Sequence, residues 1–400
     1  MIPSELYEEI KNENCVIFAG AGISTEGNSS EKIKFYDFIK KECANSGDDL
    51  DLPFPELMQK YCILKDGGRK NLLIRQIIRR IEFFSGGCEK EHFSTLTHKE
   101  IAYNPFFRII VTTNWDPFFE RYLNILVPMV EDRDIPFWDD KKRQILKIHG
   151  CVTRPYTMVI TQNDYENLIS SKMHSPIFTK LKDLTATKTF LFLGYSMRDP
   201  NIKMIFSDLS KSLGDFSRLS YAVDPEPSKE TITEWEKSGV HIIKAHAVGF
   251  LRDLNEKLVD DKLIPNRDTV ACFSCQLDEI SGIHYSDVES QEDDFLSTMY
   301  QDGLIHELEY IISNSKYGVK RSDLKVRLKE HRKDLAKFER WLKRSERDEK
   351  KSQDAKIKEQ ENERQMNIVI ELAYTTGHIE VLSRFLKGMR QSIPTNLGTN

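Results

Sequence analysis

Short apolar runs that stop on glycine or on a polar cluster organise the first 260 residues. "CVIFAG" (15–20), "FRIIVTTN" (107–114), "QILKIHG" (144–150), "TFLFLGYS" (189–196) and "LSYAVD" (219–224) are rich in β-branched and aromatic residues, which predicts buried strands. Residues 3–12 read as an amphipathic helix leading into the first of them. Apolar residues at three and four spacing in "EKIKFYDFIKKEC", "FPELMQKYCIL" and "NLLIRQIIRRIEFF" predict a helical insertion over about 31–105. Asp116-Pro117 opens a further helix in "WDPFFERYL", and "HSPIFTKLKDL" and "NIKMIFSDLS" add helices around the fourth strand. Strands alternating with helices predict an α/β fold with a parallel, doubly wound, Rossmann-type sheet, placed here at 1–259.

Beyond about Val259 the strand signal fades. An amphipathic helix is predicted in "FLSTMYQDGLIHELEYIIS", and Leu324, Leu328, Leu335, Phe338 and Leu342 continue a helical stripe. That stripe is nearly lost over 343–364, which reads as a solvated helix or a mobile connector, before apolar helix returns at 366–389. Residues 260–400 are therefore expected to form a C-terminal helical region suited to oligomer or partner contacts.

Composition narrows the classes. A chain of 400 residues with 39% hydrophobic residues holds a real core and has room for two domains. Net charge is only −5, although 316–364 carries 18 basic against 11 acidic residues, so no general nucleic-acid surface is expected. Seven cysteines fit reduced thiols better than a disulfide framework, and the lone pair Cys272 and Cys275 lacks the second pair that a structural zinc site requires. The opening residues carry no leader pattern and no apolar run reaches ~18 residues, so a cytoplasmic protein without a membrane span is expected.

Candidate chemistry gathers at the strand ends. Gly20-Ala21-Gly22-Ile23-Ser24 is either a phosphate cradle or only a tight turn when taken alone. Thr112-Thr113-Asn114-Trp115-Asp116, Lys147-Ile148-His149-Gly150 and Gly194-Tyr195-Ser196-Met197-Arg198-Asp199 add an amide, a carboxylate and an imidazole along the same expected sheet edge.

In this order the motifs resemble the sirtuin superfamily: GAGIS at 20–24, T-x-N-x-D at 112–116 with Thr113 where many members have Gln, His-Gly at 149–150, and Gly-x-Ser at 194–196. The resemblance covers roughly residues 10–255. His98 sits where many relatives have a histidine ahead of the second strand and reads as structural. Two departures stand out. The Pro-Asp-Phe-Arg element of the protein deacylases is missing after GAGIS, and only Cys151 lies between Gly150 and Gly194, which leaves no zinc ribbon there. The variant with "FLGYSMRDPNI" and no zinc is similar to sirtuin-like effectors of bacterial anti-phage defence that hydrolyse NAD. Among these it is most similar to the partners of HerA-type ATPases.

The resemblance implies NAD as substrate, no metal, and a homo-oligomer. It assigns Asn114, His149 and Asp116 to catalysis, and Gly20, Ala21, Gly22, Ser24, Thr113, Gly194 and Ser196 to nucleotide binding, while Asp224, an acidic residue at a strand end, is placed to meet an adenosine ribose as in dinucleotide folds. In this picture the N–H groups of Gly20, Ala21 and Gly22 hold the pyrophosphate. Asn114 orients water and ribose hydroxyls, His149 accepts a proton, and Asp116 meets the nicotinamide carboxamide. Each residue also has a plainer reading: Asn114 and Asp116 as caps, His149 as a satisfied core histidine, Asp224 as a turn cap at "DPEP", and Phe35 and Tyr36 as helix-core packing. Asn163 in "VITQNDYENL" reads as a cap or turn residue ahead of a helix. Two other activities stay open: an NAD-dependent deacylase or ADP-ribosyltransferase, and a nucleotide-sensing assembly module without turnover.

Overall fold

A computed structural model describes residues 2–24, 35–44, 51–85, 95–125, 127–168, 175–196, 200–214, 217–271, 274, 295–316, 318–351 and 355–388. The chain divides into two compact units, Met1–Ala102 with Phe106–Leu254, and Tyr103–Pro105 with Asn255–Asn400.

The first unit is built on a six-stranded sheet in the order β3-β2-β1-β4-β5-β6, parallel throughout. The strands are β1 (Cys15–Ala19), β2 (Ile109–Thr112), β3 (Gln144–Lys147), β4 (Thr189–Leu193), β5 (Ser220–Asp224) and β6 (Val240–Lys244). Every residue of β1 and β4 is buried, as expected of central parallel strands with helices on both faces. The chain fills one side of β1 with β2 and β3, then crosses to β4 on the other side. This is the Rossmann-type arrangement, and ligands bind where the winding reverses, outside the carboxyl ends of β1 and β4.

Five strands match the apolar runs, while β6 adds a sixth that those runs did not include. It is an edge strand whose His241 and Lys244 face solvent, so polar residues interrupt the apolar signal.

Helices of this unit are α1 (Ser4–Lys11), α2 (Phe35–Cys43), α3 (Phe54–Asp66), α4 (Asn71–Ser85), α5 (Leu96–Tyr103), α6 (Phe118–Leu123), α7 (Gln162–Asn167), α8 (Pro176–Thr187), α9 (Pro200–Leu213) and α10 (Lys229–Lys237). The helix α11 (Ala247–Asp260) follows β6. Beneath the sheet, Phe18, Phe192 and Trp235 form the centre of the core, with ring centroids 5.1 and 4.8 Å apart in sequence. Helices α2 to α4 form the expected insertion with its own core around Ile39, Leu57, Tyr61 and Leu73, against which Phe35 and Tyr36 pack.

The C-terminal unit is helical, with α12 (Phe295–Lys316), α13 (Arg321–Lys351) and α14 (Ala355–Lys387). Gly303 and Gly377 let α12 and α14 approach until a Cβ on either would overlap the facing backbone at Tyr374 or Tyr300. The stretch read as a solvated helix or connector forms the ends of α13 and α14. Ser345 is fully buried there and donates to the Glu361 carboxylate, and Gln365 Nε2 donates to Glu349 Oε2 at 3.0 Å. Polar contacts between two helical arms thus replace the lost apolar stripe. Cys272 and Cys275 lie outside the described residues, and no described helix is long and apolar enough to cross a membrane.

A buried ionic cluster joins these three helices. The Arg327 guanidinium forks onto Glu307 at 2.7 and 2.9 Å, His378 Nδ1 lies 2.6 Å from Glu307 Oε2, and His331 Nε2 is 3.5 Å away. Burial alone would raise the Glu307 carboxyl, but His331, His378 and Arg327 outweigh it and hold the group at about 2. A depressed carboxyl contributes stability above its unfolded value near 4.5 that is lost as pH falls towards 2, here about 3 kcal/mol at most. Acid titration followed by helical circular dichroism is expected to show this loss between those pH values in the wild type and a flatter curve in Glu307→Gln. Parallel curves would remove Glu307 as the source.

Candidate active site

The sheet order sets the candidate residues in a row. From β3 to β5, the strand ends lead into His149, then Asn114 and Asp116, then Gly20 to Ser24, then Gly194 to Ser196, then Asp224. Four inter-strand steps of ~4.8 Å make an edge about 19 Å long. The turns after β1 and β4 lie at its centre, at the point where the winding reverses.

Those two turns are pressed together. The chain after Gly20 turns at once into a 3-10 helix (Ala21–Ser24). Gly20 N–H donates to Leu193 O at 3.0 Å and Gly22 N–H to Gly194 O at 2.8 Å. A Cβ on Gly20 would stand 2.5 Å from Gly194 O, and one on Gly22 would stand 2.7 Å from Gly194 Cα. Gly194 itself has φ +59°, in the left-handed region that favours glycine. The N–H groups of Gly20 and Gly22 thus lock the loop onto β4 and the turn after it. Ala21 is exposed at the top of the loop, and Ser196 is exposed beyond β4.

The turn after β2 hangs from the same loop. Thr112 Oγ1 donates to Ala19 O and accepts from Asn114 N–H, both at 3.0 Å, and Thr113 N–H donates to Ala19 O at 3.3 Å. Asn114 is buried, and its Nδ2 donates to Gly20 O at 3.2 Å and Ser24 Oγ at 3.3 Å. Ser24 in turn donates to Asp116 Oδ2 at 3.2 Å. Asn114 Oδ1 is buried with no hydrogen-bond partner among the described residues, an acceptor left over where such groups are normally paired. Asp116 Oδ1 accepts from Phe118 N–H at 3.2 Å, so the same carboxylate meets the first N–H of α6 and reaches the glycine loop, although the N-cap position itself is taken by Pro117.

His149 is buried at the end of β3, its ring edge-on to Tyr165 with centroids 5.3 Å apart. Two residues earlier, the fully buried Lys147 donates to Asp116 O at 2.5 Å and to Glu120 Oε1 on α6 at 2.7 Å. Burial disfavours the Lys147 charge, but Glu120, Cys151 and Asp116 outweigh it and raise the group above the usual lysine range. The motif reading placed Lys147 in the polar cluster of 147–150 without giving it a role, and it did not name Glu120. The available signal was one cation inside the otherwise apolar "QILKIHG". His98 is buried against Phe118 and Phe119, and burial pushes its imidazole down to about 4, which fits its structural reading.

The remaining residues divide. Asp224 Oδ1 accepts from Glu226 N–H at 3.0 Å, which is the turn-cap arrangement, with the residue still at the carboxyl end of β5. Asn163 is not the cap of α7; Thr161 is, through a reciprocal box with Asp164, because its hydroxyl sits at the last non-helical position. Cys151 is buried with its Sγ 3.1 Å from Thr153 Oγ1.

The family described as SIR2-like domain matches residues 108–243, which spans β2 to β6 and leaves the glycine loop outside. NAD(+) hydrolase ThsA of Bacillus cereus (strain MSX-D12) is 31% identical over 227 residues, 55% of this chain and 44% of that protein. NAD(+) hydrolase ThsA of Acinetobacter baumannii (strain 532279) is 25% identical over 256 residues, 62% of this chain and 50% of that protein. Defense-associated sirtuin 2 of Bacillus subtilis is 24% identical over 315 residues, 73% of this chain but 27% of that protein. The chain therefore spans half or less of the length of these curated relatives.

Proposed function

We propose that this chain hydrolyses NAD+ to nicotinamide and ADP-ribose and acts as an anti-phage effector by depleting the nucleotide. The observation that carries the reading is the unpartnered acceptor of Asn114 beside a three-glycine cradle at the winding reversal of the sheet. Similarity to the two ThsA hydrolases supports the reaction class.

The edge is long enough for a dinucleotide laid across it. Adenosine would lie towards β5 and Asp224, the pyrophosphate over the Gly20–Gly194 junction, and nicotinamide ribose towards Asn114 and His149. The bond that breaks joins ribose C1′ to the nicotinamide nitrogen, which keeps the electron pair and leaves neutral. Water oxygen bonds to C1′, and its proton passes to His149, whose residue type suits proton acceptance near neutral pH. Asn114 has no charge to offer; held by Gly20 O and Ser24, its free oxygen orients water or a ribose hydroxyl. Ser24 and Asp116 complete the wall on the nicotinamide side. Thr113 and Ser196 line the approach to the phosphates. Assembly into a homo-oligomer with a HerA-type ATPase, and gating of turnover by that assembly, belong to the same reading, since an ungated hydrolase would exhaust its host's NAD.

Incubating NAD+ with the purified protein, with and without an acyl-lysine peptide and an assembled ATPase, separates the alternatives. Free ADP-ribose without peptide is expected. Acylated ADP-ribose only with peptide would mean a deacylase, and saturable NAD+ binding without products would mean a sensing module.

A further inference from the structure

The β2 ladder ends at Thr112, paired with Lys147 of β3, so the turn carrying Asn114 and Asp116 has left the sheet. Two bonds bring it back towards the loop of His149. Val152 N–H donates to Trp115 O at 3.1 Å, and Lys147 Nζ donates to Asp116 O at 2.5 Å. The donors stand on either side of His149 in sequence, and the acceptors are the two residues after Asn114. The imidazole and the amide are thus fixed relative to each other by a two-point clamp, one point of which is a side chain.

That side chain is an expensive choice for mere packing. Lys147 is fully buried, and a buried ion pair is weak support for stability, since apolar residues of similar volume commonly serve as well. Polar satisfaction is also incomplete: Glu120 Oε2 is buried without a hydrogen-bond partner among the described residues. What an apolar residue cannot supply is the donor to Asp116 O.

We propose that Lys147, neutralised by Glu120, is a positioning residue that holds the Asn114–Asp116 turn in register with His149. The proposal rests on the NAD hydrolase reading, because its readout is turnover at that site. Lys147 touches no reacting atom and acts through the main chain of Asp116.

The test is the paired replacement Lys147→Met/Glu120→Met in the full chain, assayed in whatever assembly gives wild-type turnover. Displacement of a reacting group by about 1 Å costs about 100-fold, so kcat is expected to fall on that order while KM for NAD+ stays within about threefold. Melting temperature is expected to remain within about 4 °C, because both charges leave together. Wild-type kcat in the double variant overturns the proposal. Glu120→Gln keeps the volume and leaves Lys147 able to reach Asp116 O, so below its melting temperature, which the uncompensated buried charge lowers, its kcat is expected to fall by less than about tenfold. If the double variant does not fold, a loss of about 100-fold in folded Glu120→Gln overturns the proposal by placing the effect in the carboxylate. A wild-type protein inert towards NAD+ in every assembly would instead sink the function reading, before any variant is compared.

Discussion

Asn114→Ala is expected to lower kcat for nicotinamide release by about 100- to 1,000-fold, the usual cost of removing one preorganised polar group from a reacting centre. The amide nitrogen already serves the fold, bonding Gly20 O and Ser24 Oγ, whereas the oxygen has no task within it. Truncation therefore removes two different things. Loss of the nitrogen removes its bonds to Gly20 O, which keeps the Ile23 N–H, and to Ser24 Oγ, and costs stability of about 1 kcal/mol. Loss of the oxygen removes the acceptor that the proposed hydrolysis assigns to water or a ribose hydroxyl. Turnover and thermal unfolding of the same variant separate the two. A variant that melts lower but turns over within threefold of wild type would reduce Asn114 to a cap.

Gly194→Ala is expected to disable nucleotide binding, with KM for NAD+ raised at least about tenfold by the lost fit of the loop. At φ +59° a Cβ is strained by about 1–2 kcal/mol wherever it stands, and here it would also overlap Ile23 N and stand 2.7 Å from Gly22 C. Relief requires the β1 and β4 turns to part, which breaks the Gly22 to Gly194 hydrogen bond that shapes the cradle. Gly214 supplies a control in the same unit, with φ +53° and nothing within 4 Å of its would-be Cβ. Gly214→Ala carries the strain without the overlap, so its KM is expected to match wild type while its melting temperature falls slightly. Equal KM values in the two variants would mean that the junction does not govern binding.

Why some of this was legible and some was not follows from where each residue sits. The five strands ending at Ala19, Thr112, Lys147, Leu193 and Asp224 belong to a sheet with largely buried faces, so their sequences read as apolar runs and their ends as abrupt polar clusters. Strand β6 lies at the edge, where His241 and Lys244 meet water and the run dissolves. Gly20 and Gly22 announce a close approach of backbone, but composition does not say which backbone. The approaching chain is β4, not a bare phosphate cradle open on all sides. Lys147 was named in the polar cluster at its strand end but received no role, because a single lysine in a strand ordinarily faces solvent; only the geometry places its ammonium under Asp116. The charged stretch over 343–364 was ambiguous for a similar reason. Its partners, Ser345 with Glu361 and Glu349 with Gln365, lie on two helical arms that meet only in space.

The central claim is that water cleaves NAD+ at the edge holding Asn114 and His149. Proton NMR of NAD+ with the wild type and with His149→Ala, each in the assembled form, follows substrate and both products in one tube. Equal amounts of free nicotinamide and ADP-ribose from the wild type, and unchanged NAD+ with His149→Ala, is the predicted result. Intact NAD+ with the wild type, or the same products at the same rate from both proteins, would contradict it.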